Sequence, residues 1–313
     1  MRLGFALPYA GSWATAANQA RIATRAEELG WASLWTAQRV LYPDEPRDDY
    51  YATPGAPWPG PFRSMLDPVL PLAYVAALTT RIRIGTASIM LPIMRPVLLA
   101  KQLATLDVLC GGRLDVGVSL GWSQDEFAAA GVEFARRGAR FEEYLQAMVA
   151  VWRGEGCEFH GEFVDLPRSQ VLPAPVQRPH PPLLIGGYAD AGLRRAMKYQ
   201  GYLGGNMPLD TIVEVLARLD RYAAEAGRDP KDLRKVSRGV VLLRDVPSGT
   251  ARRPLCGTLD EIAEDIERYA AAGLTELFLD LNFDPEVGVL DADPGVSMER
   301  ALTVLEALAP GER

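Results

Sequence analysis

The chain has 313 residues, 48% of them hydrophobic and 23% charged, with a formal net charge of −7. This is an ordinary globular composition, long enough for one large barrel or two medium domains. The acidic balance, without a basic run, argues against nucleic acid or an acidic membrane surface as partner. No stretch approaches the roughly 20 apolar residues of a membrane span. Cys110, Cys157 and Cys256 lack metal-ligand spacing and read as thiols in a reducing compartment. The opening "MRLGFALPYAG" has too short an apolar run for a signal peptide, so a cytoplasmic location is expected.

Strands are predicted near 2–8, 32–37, 82–90, 113–119, 182–186, 201–205, 236–243 and 275–281. Helical patterns fall between them, at 15–29, 97–109, 135–152, 208–226 and 258–272 among others. One joint recurs: "AEELGWASLW" (26–35) is a helix end, a glycine and an apolar strand, and "AAAGLTELFL" (270–279) repeats it. Gly30 and Gly273 stand where a left-handed helix cap must precede the strand. Eight strands alternating with helices fit an α/β fold of the (β/α)8 TIM-barrel type, as a single domain over 1–313. A doubly wound sheet with a second domain is the alternative.

Two insertions depart from a minimal barrel. Residues 38–67, after strand 2, are rich in Pro, Gly and aromatics and leave the end of a strand where barrel active sites are built. Residues 155–181, before strand 5, carry a predicted hairpin in "CEFHGEFVDLP". The helix at 135–152 turns Phe141, Leu145, Met148, Val149 and Trp152 to the core. Arg136, Arg137 and Arg140 beside Glu142 and Glu143 read as a solvated face with intrahelical ion pairs.

Glycines crowd "CGGRLDVGVSLGWSQDEF" (110–127), where each would weaken a plain strand. The pair Gly186–Gly187 in "IGG" enters a helix near Ala189, so free N–H groups there could seat an anion, unless the glycines only serve a tight turn.

"GWASLWTAQRVLYP" (30–43), "RIRIGTASIMLPIMRPVLLAKQLATLDVLCGGRLDVGVSLGWSQDEF" (81–127), "ARRGARFEEYLQAMVAVW" (135–152) and "PPLLIGGYADAGLRRAM" (181–197) together carry a resemblance. They resemble the bacterial-luciferase-like superfamily of barrel oxidoreductases, in particular its coenzyme F420-dependent members, and "PLCGTLDEIAEDIERYAAAGLTELFLDLN" (254–282) extends the likeness. The resemblance implies a cofactor pocket formed by Gln38, Ala87, Ser88, Ser119, Leu120, Gly121, Trp122, Asp125, Gly186, Gly187 and Tyr188. Trp122 would wall the pocket, although core packing is its plainer use. Ser119 replaces a glycine usual in the family. Ala87–Ser88 matches the family's non-proline cis peptide behind the ring, and Gly186–Gly187 its seat for the cofactor's phosphate or ribityl end. Arg63, Arg194, Arg195, Lys198, Arg252 and Arg253 are candidates for an acidic cofactor tail.

The sugar-phosphate and alcohol dehydrogenases of this family carry an Asp–His pair after the second strand, where this chain has Gln38 and Arg39. Arginine stays protonated and cannot be a general base, but it can steady a developing oxyanion. Arg39 is therefore a catalytic candidate, and Trp122, which takes the place of the acid that grips sugar in the glucose-6-phosphate enzyme of the family, is the other. The expected chemistry is reduction of an activated C=C or C=O of a small molecule by reduced F420. The alternatives are an FMN-dependent monooxygenase fed by a partner reductase and a non-catalytic flavin-binding barrel. His160 and His180 are expected in structural roles. A homodimer is an assembly the resemblance allows.

Overall fold

The computed structural model describes residues 1–249 and 252–311. Eight parallel strands close in sequential order: β1 (Arg2–Ala6), β2 (Ser33–Thr36), β3 (Arg83–Met90), β4 (Leu114–Ser119), β5 (Leu183–Gly186), β6 (Gly201–Gly204), β7 (Arg234–Val240) and β8 (Glu276–Asp280). β8 pairs back onto β1, Leu3 opposite Leu277. Closure removes both sheet edges, so the doubly wound alternative fails and the (β/α)8 barrel stands.

Parallel neighbours require crossovers, and helices supply them: α1 (Ala16–Glu28), α2 (Leu70–Ala76), α3 (Pro96–Leu109), α4 (Gln124–Ala129), α5 (Arg137–Trp152), α6 (Asp190–Ala196), α7 (Leu209–Glu225), α8 (Leu259–Ala271) and α9 (Pro294–Ala307). Gly30 and Gly273 take φ of +78° and +99°, the left-handed caps expected at the repeated joint.

The barrel interior is filled rather than hollow. Trp35 lies inside, stacked on Phe278 with centroids 5.2 Å apart. Gly85 makes this fit, since a Cβ there would come 2.5 Å from the Trp35 ring. Below it is a polar layer. Asp115, fully buried, accepts from Arg83 Nη2 at 2.6 Å and Arg234 Nη1 at 2.6 Å, and Glu276 accepts from Ser33 Oγ at 2.6 Å. Paired this way, the buried carboxylates do not stand as isolated charges.

The insertion at 38–67 forms no strand, only short 3-10 turns at Tyr50–Ala52 and Gly60–Arg63. The insertion before β5 holds the expected hairpin, Cys157–His160 against Asp165–Ser169. Two readings need correction. The strand expected over 236–243 stops at Val240, and Leu242–Leu243 instead pairs with Cys256–Gly257 in a separate two-stranded sheet. The charges of α5 do not pair within the helix either. Glu142 binds Arg195 and Lys198, Arg136 binds Glu162, and Glu143 accepts the N–H groups of Glu162, Phe163 and Val164. The reason is the hairpin, whose turn offers three free amides to α5 and makes a better partner than a neighbouring solvated side chain.

Candidate active site

Strand β3 is bulged against β4 between Thr86 and Ile89, and Ala87–Ser88 is a cis peptide, as the family resemblance implies. The bulge carries the Thr86 carbonyl toward β4, where a Cβ on Gly117 would overlap it. Gly117 is therefore required by the neighbouring strand, which answers why that strand is thinned. Beyond it the chain turns at Gly121, whose φ of +77° suits glycine alone. Ala87, Ser88, Ser119, Leu120, Gly121 and Trp122 thus reach one cavity at the C-terminal ends of the strands.

That cavity has a volume of about 200 Å3, and Gln38, Arg39, Gly186, Gly187 and Tyr188 complete its wall. Gly187 has φ +140°, and a Cβ there would meet nothing nearer than Gly192 Cα at 3.9 Å, so its face is open. Gly186 is less free, for a Cβ would stand 3.2 Å from both Ser119 Cβ and the Val118 carbonyl. The helix they lead into, α6, has only seven residues and begins with Asp190, whose carboxylate binds Arg218 at 2.5 Å. The seat at "IGG" is accordingly one of glycine backbone more than of helix dipole.

Asp125 is the expected site residue that the cavity does not include. It lies in the first turn of α4, and its carboxylate accepts the Arg47 amide at 3.0 Å and pairs with the Arg47 side chain at 3.1 Å. The cause is the capping geometry: Ser123 caps α4, so Asp125 points along the helix start toward the 38–67 insertion.

Arg39 lines the cavity but is heavily engaged. Its side chain is 6% exposed and its Nη1 lies 3.1 Å from Oε2 of fully buried Glu126. The guanidinium stands 4.9 Å from the ring centroids of Phe62 and Trp122 and 5.5 Å from that of Trp58. Burial lowers the Arg39 pKa from its ordinary value and raises that of Glu126, each opposed by the partner's charge. Glu126 also accepts the Val40 amide at 2.8 Å. Gln124 of the same helix turn bonds Asp48. These contacts clamp the 38–48 segment onto α4. Gln38 is likewise committed, with Oε1 accepting the Met90 amide at 2.6 Å. Trp122 lines the cavity, half-buried and outside the barrel core, with its ring 4.8 Å from that of Trp58 in the 38–67 insertion.

The basic tail candidates scatter. Arg195 and Lys198 serve Glu142, Arg194 serves Glu225, Arg252 serves Asp265, and Arg63 lies over Tyr42. Of these, Arg253 lines a second cavity of about 600 Å3 next to the first, and Lys198 borders a separate pocket with Gln200 and Arg234. His160 is held on the surface by Glu158 and Asp165, and His180 stacks on Trp152.

Sequence reasoning missed Arg238, which lines both cavities, and Tyr51, which does the same. Strand alternation could have found the arginine. Arg234 and Val236 turn into the barrel, so the inward register of β7 continues to Arg238.

Among the described residues lining the first cavity none is Asp, Glu, His, Cys or Lys. The wall offers hydroxyls from Ser88, Ser119, Tyr51 and Tyr188, two arginines, and a run of glycines. Burial pushes the Tyr188 pKa above the phenol range. The chain provides a cradle and hydrogen-bond donors there, with no carboxylate, imidazole or thiol to act as nucleophile or ordinary base.

Residues 1–249 match the family described as luciferase-like monooxygenase. The Mycobacterium tuberculosis protein Rv0940c is 34% identical over 215 residues, 66% of this chain and 72% of that one. The FMNH2-dependent dimethylsulfone monooxygenase of Pseudomonas putida is 33% identical over 153 residues, 48% of this chain and 42% of that one. Among solved structures, monooxygenase RslO1 from Streptomyces bottropensis superposes with a TM-score of 0.77 at 23% identity, covering 99% of both chains. The coenzyme F420-dependent tetrahydromethanopterin reductase of Methanopyrus kandleri gives 0.73 at 15% identity, over 98% of this chain and 97% of that one.

Proposed function

The chain belongs to the luciferase-like monooxygenase family, and from that premise we propose that it is an F420-dependent oxidoreductase reducing an activated C=C or C=O. The observation that carries this reading is the first cavity's wall, which among the described residues combines a glycine cradle and hydroxyls with no carboxylate, imidazole, thiol or amine. When bound, the deazaflavin supplies the hydride. Ala87, Ser88, Leu120, Gly121 and Trp122 would flank its ring, and Gly186 and Gly187 its phosphate or ribityl end. The open face of Gly187 fits such a group. Tyr51, Tyr188, Ser88 or Ser119 can hold the proton donated to substrate, since each presents a hydroxyl to the cavity. Arg39 keeps the 38–48 segment in place beside the cavity.

FMN in a two-component monooxygenase is the second reading, favoured by the Pseudomonas putida relative, which is FMNH2-dependent. Incubation with F420 or FMN, removal of free cofactor and absorbance of the retained chromophore tests the pair. Retention of F420 with turnover of an electron-poor enone supports the first reading. Retention of FMN alone, with oxygen consumption when reduced flavin is supplied, supports the second. Retention without turnover over a broad substrate panel would leave a cofactor-storing barrel. We also propose a homodimer through α2 and α3, where Leu70, Leu98 and Leu109 are 71%, 63% and 68% exposed. No helix among the described residues is long and apolar enough to cross a membrane, and a cytoplasmic location is proposed.

A further inference from the structure

Arg238 differs from Arg39 in how its charge is met. It projects from β7 where the smaller cavity meets the larger, and its side chain is 10% exposed. Its Nε has no hydrogen-bond partner. Among the described residues the one carboxylate paired with it is Asp280, at 3.8 Å, beyond hydrogen-bond distance. Asp280 is already occupied. Its Oδ1 accepts the Asn282 amide and side chain, both at 2.9 Å, and its Oδ2 accepts the Tyr9 hydroxyl. The guanidinium also lies 4.7 Å from the Phe283 ring centroid, which compensates charge but takes no N–H bond. The Tyr9 and Tyr50 hydroxyls also lie beside the guanidinium, and the Nε donor that stays unmet is costly unless something occupies it.

The larger cavity has the matching sign. Arg218, Arg238, Arg244 and Arg253 line it against one acid, Glu214; Asp190 pairs with Arg218 and Asp284 lies 3.5 Å from Arg244, so the positive excess rests on Arg238 and Arg253. Tyr50, Tyr51, Met207, Val240 and Phe283 give it apolar walls. A chamber with apolar sides and positive potential favours an apolar body bearing an anionic group.

We propose that the larger cavity is the substrate chamber and that it takes an organic acid, whose singly charged carboxylate or sulfonate is bound by Arg238. This rests on the smaller cavity being the cofactor's. Because Arg238 borders both cavities, the acid group lies at their junction, and the substrate's reacting carbon lies within a few bonds of it.

The test uses the full chain without substrate, titrated by calorimetry with benzoate, benzenesulfonate and neutral benzamide. Benzoate or benzenesulfonate should bind at least about tenfold more tightly than benzamide, and their ratio to each other tells which oxyanion is preferred. Arg238→Gln should erase that preference, and Arg238→Lys should restore only part of it, because the ammonium lacks the fork. Equal binding of acid and amide to the parent protein, or no binding of either, overturns the proposal even if Arg238→Gln does not fold. So does a Gln variant that keeps the preference. FMN, F420 and riboflavin are titrated in parallel. If Arg238→Gln weakens FMN but spares riboflavin, the arginine serves the cofactor's phosphate, which overturns the substrate assignment while leaving the cofactor reading intact. If none of the three binds the parent protein, the cofactor reading fails, whatever the acids do.

Discussion

Arg39→Met removes one member of a buried ion pair and leaves the other in place. Glu126 is fully buried, and the guanidinium 3.1 Å away is the only cation paired with it among the described residues. Breaking such a pair typically costs about 3–5 kcal/mol, because the remaining charge stays desolvated. The lost contacts with Trp58, Phe62 and Trp122 contribute in the same direction, although methionine keeps some of the packing. The pH dependence has a definite sign. Burial raises the Glu126 pKa above the usual carboxylate range, opposed by Arg39 and by the Val40 amide. A carboxyl raised on folding holds more protons in the folded state, so its stabilising effect is full at low pH and declines as pH climbs toward the folded pKa. Without Arg39 the pKa rises further, and protonation can relieve the stranded charge. The variant should therefore lose more stability near about pH 8 than near about pH 5.5. Urea unfolding followed by tryptophan fluorescence measures this, and Arg39→Met with Glu126→Gln should recover at least half of the loss. A variant as stable as the parent at both pH values, but about a hundredfold slower at saturating cofactor, would refute the clamp and return Arg39 to oxyanion stabilisation.

Gly187→Ala should raise the dissociation constant for F420 or FMN at least about tenfold, or about 1.4 kcal/mol, since φ +140° excludes a side chain and the Cβ enters the open face; unchanged affinity moves the seat elsewhere. Asp115→Asn should destabilise by about 3 kcal/mol or more in urea melts, because two bidentate arginines lose their shared carboxylate. Burial would raise Asp115, yet Arg83 and Arg234 hold it below its ordinary value, so its contribution is present above the unfolded pKa and lost as pH falls through the folded one. A variant whose acid limb matches the parent's contradicts that. Light scattering should give twice the chain mass for the parent and the single mass for Leu98→Glu with Leu109→Glu, whereas a monomeric parent removes the proposed α2–α3 interface.

The barrel was legible because its signals are local. Gly30 and Gly273 announce strand entry through backbone sterics that no tertiary context can waive, and Gly121 announces a turn in the same way. The positions along the cavity wall came from the family resemblance, and Ser119 and Gly187, which it named, do line the first cavity. Charge pairing was not legible. Glu126 reads in sequence as an ordinary acid in a helix's first turn, and nothing local says that it is buried against the Val40 amide, 86 residues away. Arg39 consequently looked free for catalysis when the fold had already assigned it a partner. Asp125, the neighbouring acid, looked like a site residue for the same lack of information and turned instead to Arg47. A residue's chemistry is visible in the chain, but its partner depends on long-range packing.

Arg234 and Arg238 stand on one strand in the same inward register, which makes them an internal comparison. Arg234 meets Asp115 through two bonds of 2.6 and 2.9 Å and Glu276 through a third of 3.2 Å. Arg238, one layer up, has its carboxylate at 3.8 Å with that carboxylate's oxygens given to Tyr9 and Asn282. The Nε of each lacks a partner, so the contrast lies in how closely the terminal nitrogens meet a carboxylate. If burial alone governed arginine in this barrel, both would be bonded alike, since the cost of an unmet guanidinium rises with desolvation. In the lower layer the terminal nitrogens of Arg234 are bonded to Asp115 and Glu276, which ties the strands together. The upper layer faces the cavities, and there Asp280 is close enough to sustain the charge without occupying its donors. That arrangement keeps a fixed positive charge ready for an incoming oxyanion with little reorganisation. It also places specificity and any charge stabilisation on Arg238, leaving Arg39 to hold the segment that walls the site.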